Sequence, residues 1–419
     1  MYIKELTNKE FCEFTKQFPY KTFYQTQEYA FVMSHERSEV FFLGLVDDNY
    51  ILAASTIIVE KRNGFKYAYT PRGFLIDFND YNLVEQFTKL LKDYLGKKDI
   101  TALKINPMIV KTIYNNNKEI IYKNKHYDSI FEQLIKLGYN HCGYNDHFEA
   151  IKPRFEAILN IDTDTDTIFQ NIDKSYRNKI KNAIEDGIHI YKGNNNDLQY
   201  LYEQSKYKYP RSFNFLQNVY KNFDQKQMVD IYYAKLNTQE YLINSQKEHE
   251  DLEYKTNDIN YQIMQNSYKD KNKLINKKLE SDTLLNKHEN KLITATSLLQ
   301  NYPNGLVLAS MMIIKYYGTI YMFMDGLDQN YKYLNAKHLL LWKVIEEYSK
   351  LGYKKFNLGG ISNIKKEDKY KGLNEFRMNF GSCAMEYIGD FELVTNNTLY
   401  FMYKKTTKFK NLITKKKND

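Results

Sequence analysis

KLGYKKFNLGGISNIKKEDKYKGLNEFRMNFGSCAMEYIG, residues 350–389, holds a helix end, a strand, a glycine pair and a second helix in one run. Trp342, Ile345, Tyr348 and Leu351 recur at helical spacing, and Gly352 stands where a left-handed C-cap closes such a helix. Lys355-Phe356-Asn357-Leu358 reads as a buried strand. It runs straight into Gly359-Gly360, so a backbone without side-chain bulk leaves a sheet where a ligand can approach closely. A charged loop over 364–371 precedes Gly372-Leu373-Asn374-Glu375-Phe376-Arg377, a short helix carrying an arginine, and Phe380-Gly381 ends it. A lone Gly-Gly turn is also what an ordinary structural unit shows, so the remainder of the chain has to decide.

With 419 residues the chain can bury substantial cores and is long enough for two or three domains. Its hydrophobic fraction of 43% is that of a globular protein, and six prolines leave little room for a Pro-rich linker. The high counts of Tyr (39) and Phe (25), beside many Lys, Asn and Ile, read first as biased coding. Cys12, Cys142 and Cys383 are odd in number and far apart, so they form neither a disulfide framework nor a metal set, and a reducing cytoplasm is expected. The N-terminus lacks the apolar run of a signal peptide, and no stretch reaches the roughly 18 apolar residues needed to span a bilayer. A formal charge of +9 favours an anionic partner: RNA, a phosphorylated substrate or an acidic membrane face.

Residues 1–150 read as one α/β unit. A helix over 7–17 opens on the capping-box pair Thr7 and Glu10. Strands follow at about 39–46, 50–60 and 65–70, then a helix over 80–95, a strand from Thr101 to Pro107, and a helix over 128–137. The tetrapeptide Lys136-Leu137-Gly138-Tyr139 recurs as Lys350-Leu351-Gly352-Tyr353, each time between a helix and a strand, which suggests two related halves. The second half starts around Ile151, and its basic helix over 176–184 puts Arg177 and Lys181 on one face.

From about Gln239 to Gln300 there is neither proline nor glycine. Apolar residues recur at heptad spacing, as Leu242, Leu252, Ile259 and Ile263, then Leu274, Leu285, Leu292, Ala295 and Leu299. Ser245, His249, Thr256, Lys278 and His288 dilute the seam, and a polar reversal over 266–272 divides it. The pattern predicts an antiparallel helical hairpin reaching roughly 40 Å from the body. A solvated spacer, a dimerisation arm and a nucleic-acid contact all fit it.

Several chemistries find no motif: there is no G-x-G-x-x-G after a strand, no Walker loop, no H-E-x-x-H and no G-x-S-x-G elbow. His141 and His147 flank Cys142, but Gly143-Tyr144-Asn145-Asp146 reads as a turn.

In order, Gln25-Thr26, Tyr69 with Pro71-Arg72-Gly73 and Asp77, Ile151 with Pro153-Arg154, the Lys-rich helix before Gly187, Leu358-Gly359-Gly360, and Gly372 with Phe376-Arg377 and Phe380-Gly381 resemble the Fem-type aminoacyltransferases, the FemABX family. The resemblance covers essentially the whole chain. It implies a mixed α/β fold of two acetyltransferase-like (GNAT-like) domains, 1–150 and 151–237 with 301–395, an inserted coiled-coil hairpin at 238–300, and a basic C-terminal helix at 396–419. The hairpin is similar to that of the staphylococcal bridge-forming members and to the tRNA-binding arm of seryl-tRNA synthetase. The implied activity moves an amino acid, expected to be glycine, serine or alanine, from aminoacyl-tRNA to a peptidoglycan precursor, with no cofactor and no metal. No R/Q-x-x-G-x-G/A turn follows a suitable strand, which counts against a CoA-dependent enzyme. The other reading is a non-catalytic tRNA- or partner-binding protein that keeps the fold.

The resemblance also implies roles. Arg211 matches the arginine that grips the precursor's phosphates, with Phe215, Tyr69, Arg72, Gly359, Gly360 and Phe323 as further substrate contacts. Arg177, Lys179 and Lys181 are the expected tRNA contacts, and Arg377 and Asn106 the expected catalytic positions. Arg377 stands where the family has lysine, and since arginine keeps its proton it can stabilise an oxyanion but not relay protons. Asn106 stands where similar enzymes often have aspartate, and Phe31 or Met33 where one subgroup has a phosphate-binding lysine. Glu375 and Asp325 are the nearest carboxylates to these motifs, and both read as surface charges.

Overall fold

A computed structural model describes the chain except residues 37, 147–151, 208–210, 266–270, 367 and 419. His147, Ile151, Tyr209, Pro210 and most of the polar reversal at 266–272 therefore lie outside the described residues. In chain order the strands are β1 (Tyr2–Glu5), β2 (Glu39–Asp47), β3 (Tyr50–Arg62), β4 (Phe65–Pro71), β5 (Ile100–Asn106), β6 (Val110–Tyr114), β7 (Ile120–Lys123) and β8 (Tyr139–His141). Then come β9 (Phe155–Asn160), β10 (Ile188–Gly193), β11 (Val229–Leu236), β12 (Leu306–Tyr316), β13 (Thr319–Leu327), β14 (Lys355–Ile361), β15 (Cys383–Tyr387) and β16 (Phe391–Val394).

They form a seven-stranded sheet, β1-β2-β3-β4-β5-β16-β8, and a nine-stranded sheet, β10-β11-β12-β13-β14-β9-β15-β6-β7. The first seven strands of each follow one pattern: three antiparallel pairings, a parallel one (β4/β5 or β13/β14), then two more antiparallel pairings. A parallel pair needs a crossover, which the helices Tyr81–Lys97 and Ala336–Lys350 supply. Each helix forms for reasons visible locally. Asp80 caps the first by accepting from the Leu83 amide, and Val84, Phe87, Leu91 and Leu95 give it one buried stripe. Gly352 ends the second at φ +80°.

The mixed α/β fold with two sheets is thus as expected, but the sheets do not follow the chain halves. Strands β6 and β7, inside 1–150, extend the second sheet, and β16 pairs in the first between β5 and β8. The two halves do repeat, yet the recurring tetrapeptide does not mark the repeat: residues 136–139 lead into β8 and residues 350–353 into β14, whose counterpart is β5. What the tetrapeptides share is a helix exit through a positive-φ glycine, Gly138 or Gly352. A shared core joins the sheets, where Phe23, Tyr29, Val32 and Met33 pack among Phe215, Leu216, Val219 and Phe223.

The helices Thr238–Met264 and Lys271–Asn301 run antiparallel, as Glu248 beside His288 and Lys291, and Thr256 beside Ser281, establish. At 1.5 Å per residue the first is about 40 Å long. Of the diluting residues, Ser245 and Thr256 are buried in the seam, where Ser281 joins them, while His249, Lys278 and His288 are half-buried. The base of the arm belongs to the body, since Tyr241, Ala295 and Leu298 enter the core of the second sheet and Lys291 bridges Asp186 at 2.7 Å. A last helix, Asn397–Asn418, lies against the first sheet, where Tyr403 packs on Tyr67. Among the described residues no helix is long and apolar enough to cross a membrane.

Candidate active site

The parallel pairs of the two sheets end differently, and this places the cleft. β4 and β5 stay paired to their ends, Pro71 opposite Asn106. β13 and β14 pair only over Thr319–Tyr321 and Lys355–Asn357, then separate. A cavity of about 890 Å³ opens in that fork, lined by Tyr321, Phe323, Asn357, Gly359 and Gly360 from the two strands, and by Tyr370, Gly372, Phe376 and Arg377 from the following loop and helix. Phe23, Tyr24, Lys152 and Glu156 close it from the other side.

Gly359, at φ +90°, and a register shift in the pairing with β9 bend the strand out of the sheet. A Cβ at Gly359 would stand 3.2 Å from Nη2 of Arg377. The missing bulk is therefore filled by protein: the guanidinium of Arg377 lies in it and donates from Nη1 to the Gly360 carbonyl. Arg377 is buried, and its Nε has no hydrogen-bond partner among the described residues. A fixed guanidinium with unspent donors at the wall of a cleft is suited to an anion or a developing oxyanion.

Arg72 has a different place. It leaves β4 buried, donates to Asn106 Oδ1 (2.9 Å), the Pro153 carbonyl (2.9 Å) and Glu156 Oε1 (2.6 Å), and stacks 4.0 Å from the Tyr387 ring. Its fork is spent on protein groups of both sheets, so it acts as a strut behind the cleft wall. Asn106 is fully buried too, accepting from Arg72 and donating through Nδ2 to Asp390. Gln25 holds this region together: its amide donates to Thr70 Oγ1 and the Pro71 carbonyl and accepts from the Thr56 amide. Tyr69 is buried in the core between the sheets and is not among the cleft lining.

Glu156 is the wall residue that sequence reading passed over. Its oxygens accept from Arg72, from Asn357 Nδ2 (2.8 Å) and from the Tyr387 hydroxyl (3.2 Å). Only an alternation of small and apolar residues in β9 marked it as a strand position. Asp325 is not the surface charge expected of it: it is buried and paired with Lys337, whose ammonium lies 4.5 Å from the Phe376 ring at the cleft. Glu375 is exposed on the other side of its helix.

Arg211 is exposed, stacks 4.9 Å from the Phe215 ring and has no ion pair among the described residues. Phe215 is buried and reaches Phe323 of the cleft. On the basic helix, Arg177 is tied to Gln170, Lys179 lies over the Tyr176 ring at 4.6 Å, and Lys181 is exposed.

The description FemAB family matches residues 6–408. This chain belongs to the FemAB family. It is 27% identical to aminoacyltransferase FemA of Staphylococcus epidermidis, covering 98% of this chain and all of that protein. With aminoacyltransferase FemA of Staphylococcus aureus it shares 25% identity over 99% of the chain and all of the relative. A crystal structure of FemX superposes with TM-score 0.72 at 19% identity, covering 96% of this chain and 99% of the other, which shows the shared fold. The chemistry to be accounted for in a FemAB protein whose relatives carry these names is acyl transfer.

Within that family the departures of this chain have local reasons. An aspartate at position 106 would set a second carboxylate against buried Asp390, whereas the Asn106 amide donates to it. Met33 is buried in the core between the sheets, so a lysine there would need another path to solvent.

Proposed function

We propose that the protein transfers an aminoacyl group from aminoacyl-tRNA to an amine of a peptidoglycan precursor, building or extending an interpeptide bridge. The observation that carries the reading is the fork of β13 and β14 holding a fixed, partly unspent guanidinium, Arg377, in a chain of the FemAB family.

Elementary chemistry asks little more. The donor ester is already activated, and the nucleophile is an amine: a stem-peptide lysine with unperturbed pKa about 10.4, or a less basic α-amino group of a residue already added. The site must hold the amine neutral, set it against the ester carbonyl and stabilise the tetrahedral oxyanion. Arg377 suits the last task, Phe323 and Phe376 give apolar walls, and Arg211, exposed beside Phe215 and without an ion pair among the described residues, suits the precursor's phosphates. Arg177, Lys179 and Lys181 form a basic surface suited to tRNA, and within the arm only the helix Lys271–Asn301 carries an excess of lysine over acidic residues, the helix Thr238–Met264 being acidic.

Asn106 is spoken for by Arg72 and Asp390, so its change from aspartate is accounted for by packing and gives no support to a protein that has lost catalysis. The purified protein, given tRNA charged in turn with glycine, serine or alanine and a nucleotide- or lipid-linked muropeptide, is expected to add one residue's mass to the muropeptide. Tight binding of both substrates without any added mass would establish the non-catalytic reading instead.

A further inference from the structure

Lys152 is set into the wall of the cleft opposite Arg377, with its Nζ 3.8 Å from the centre of the Tyr24 ring and 5.6 Å from that of Tyr29. Its situation differs from that of the other cations at the cavity. Arg377 is anchored on the Gly360 carbonyl, Lys337 is paired with Asp325, and Lys369 is exposed. The nearby carboxylate, Glu156, has its oxygens occupied by Arg72, Asn357 and Tyr387. Lys152 thus faces the cavity with neither a hydrogen bond nor an ion pair to any described residue.

Resting on the transfer reading above, we propose that Lys152 is its proton acceptor, the base that relieves the attacking amine of its proton. The amine nitrogen adds to the ester carbonyl carbon, forming the C–N bond. The proton that nitrogen sheds passes to Lys152 Nζ. Collapse of the tetrahedral adduct breaks the bond to the ribose oxygen, which takes the proton from the Lys152 ammonium as it leaves. Any further proton carried by the acceptor as an ammonium goes to solvent. Lys152 ends neutral, ready for another cycle.

The surroundings fit a group that must be neutral at rest and charged in passing. Burial lowers the Lys152 ammonium most, the positive charge of Arg72 lowers it further and Arg211 adds to this, while Glu156 opposes them, and the outcome is about 7. A general base works best when its pKa lies near the working pH. The phenols of Tyr24 and Tyr29 stay protonated, because burial raises both. Their ring faces attract the ammonium once the proton has arrived. No sequence motif announces this role, since Lys152 beside Pro153 looks like an ordinary loop cation.

The experiment compares wild type, K152Q and K152R with charged tRNA and muropeptide from pH 5.5 to 9. In the wild type, kcat at saturating muropeptide, which unlike kcat/KM does not carry the ionisation of the free acceptor amine, should rise with pH and level near pH 7. Both variants should lose about 10²–10⁴-fold at pH 7 together with that acidic limb, because neither glutamine nor arginine can accept the proton. Recovery of activity in K152R would make Lys152 an anion-binding residue and overturn the proposal, as would an unchanged acidic limb in either variant. A measurement that does not depend on mutant folding is the titration of 13C-methylated Lys152 by NMR in the whole protein. A value near 7 is expected, and one near 10 overturns the assignment. A wild-type protein that transfers nothing removes the transferase reading and the proposal with it, whereas failure confined to the variants' profiles removes Lys152 alone.

Discussion

Arg377 meets the cleft because Gly359 leaves it room and the Gly360 carbonyl fixes it. Replacing it by alanine should lower turnover about 10²-fold or more, the usual scale for one oxyanion donor, while Arg377→Lys keeps measurable activity through its charge. Equal single-turnover rates in all three proteins would place the oxyanion elsewhere. Close by, His338 lies among Tyr176, Phe376 and Phe380. Burial first, then the charges of Lys179 and Lys337, lower its imidazolium to about 3. A folded pKa depressed below the unfolded value near 6.5 means that the unfolded chain takes up the proton first. The stability held above pH 6.5 is then lost as pH falls toward 3, at up to about 1.4 kcal/mol per pH unit. Urea midpoints at pH 7 and pH 4.5 should therefore differ less in His338→Gln than in the wild type.

At the scale of one element, the hairpin is helical because it lacks helix breakers, yet its seam is poor in apolar bulk. Thr256 and Ser281 spend a central layer on a mutual hydroxyl bond, 2.6 Å long, that is buried from water. Exchanging both for apolar groups, Thr256→Val with Ser281→Ala, should be neutral or stabilising for the arm, whereas Thr256→Val alone should cost about 1 kcal/mol by stranding the serine hydroxyl. Thermal melts followed by helix circular dichroism check this, and a double variant weaker than the single one would contradict it.

For the whole molecule, the exchange of strands between the sheets and the Arg72–Glu156 pair that ties β4 to β9 make the two sheets one cooperative structure. Arg72→Ala leaves a buried carboxylate without its counter-charge and should cost about 3–5 kcal/mol in urea unfolding. A loss below about 1 kcal/mol would show that the pair is not what joins them. The arm offers a second test. Because Tyr241, Ala295, Leu298 and Lys291 belong to the body, only residues 250–287 can be replaced by a short Gly/Ser turn without opening the core. If the arm contacts tRNA, this variant should keep its mass in sedimentation, bind tRNA more weakly and show a shallower fall of affinity with salt. A halved mass would make the arm a dimer contact instead.

Local signals in the chain were enough for much of this. Capping residues such as Thr7, the stripe Val84-Phe87-Leu91-Leu95, Gly352 at its helix exit and the glycine-free heptads of the arm are set by near neighbours, so they can be read without a fold. The ordered short motifs, taken together, were also enough to indicate the family. Tertiary structure alone decided which strands share a sheet, since β6, β7 and β16 pair with partners remote in sequence and nothing in a five-residue strand names its partner. It also decided what each charged residue does. Arg72 and Arg377 both belong to short motifs that carry a glycine, but Arg72 is consumed where β4 and β5 stay paired, and Arg377 meets a cavity where β13 and β14 part. Glu156 on β9 and Lys152 in the segment before it are brought to that cavity from outside residues 350–389, and burial and neighbouring charge, which exist only in the folded chain, determine whether such a lysine holds its proton.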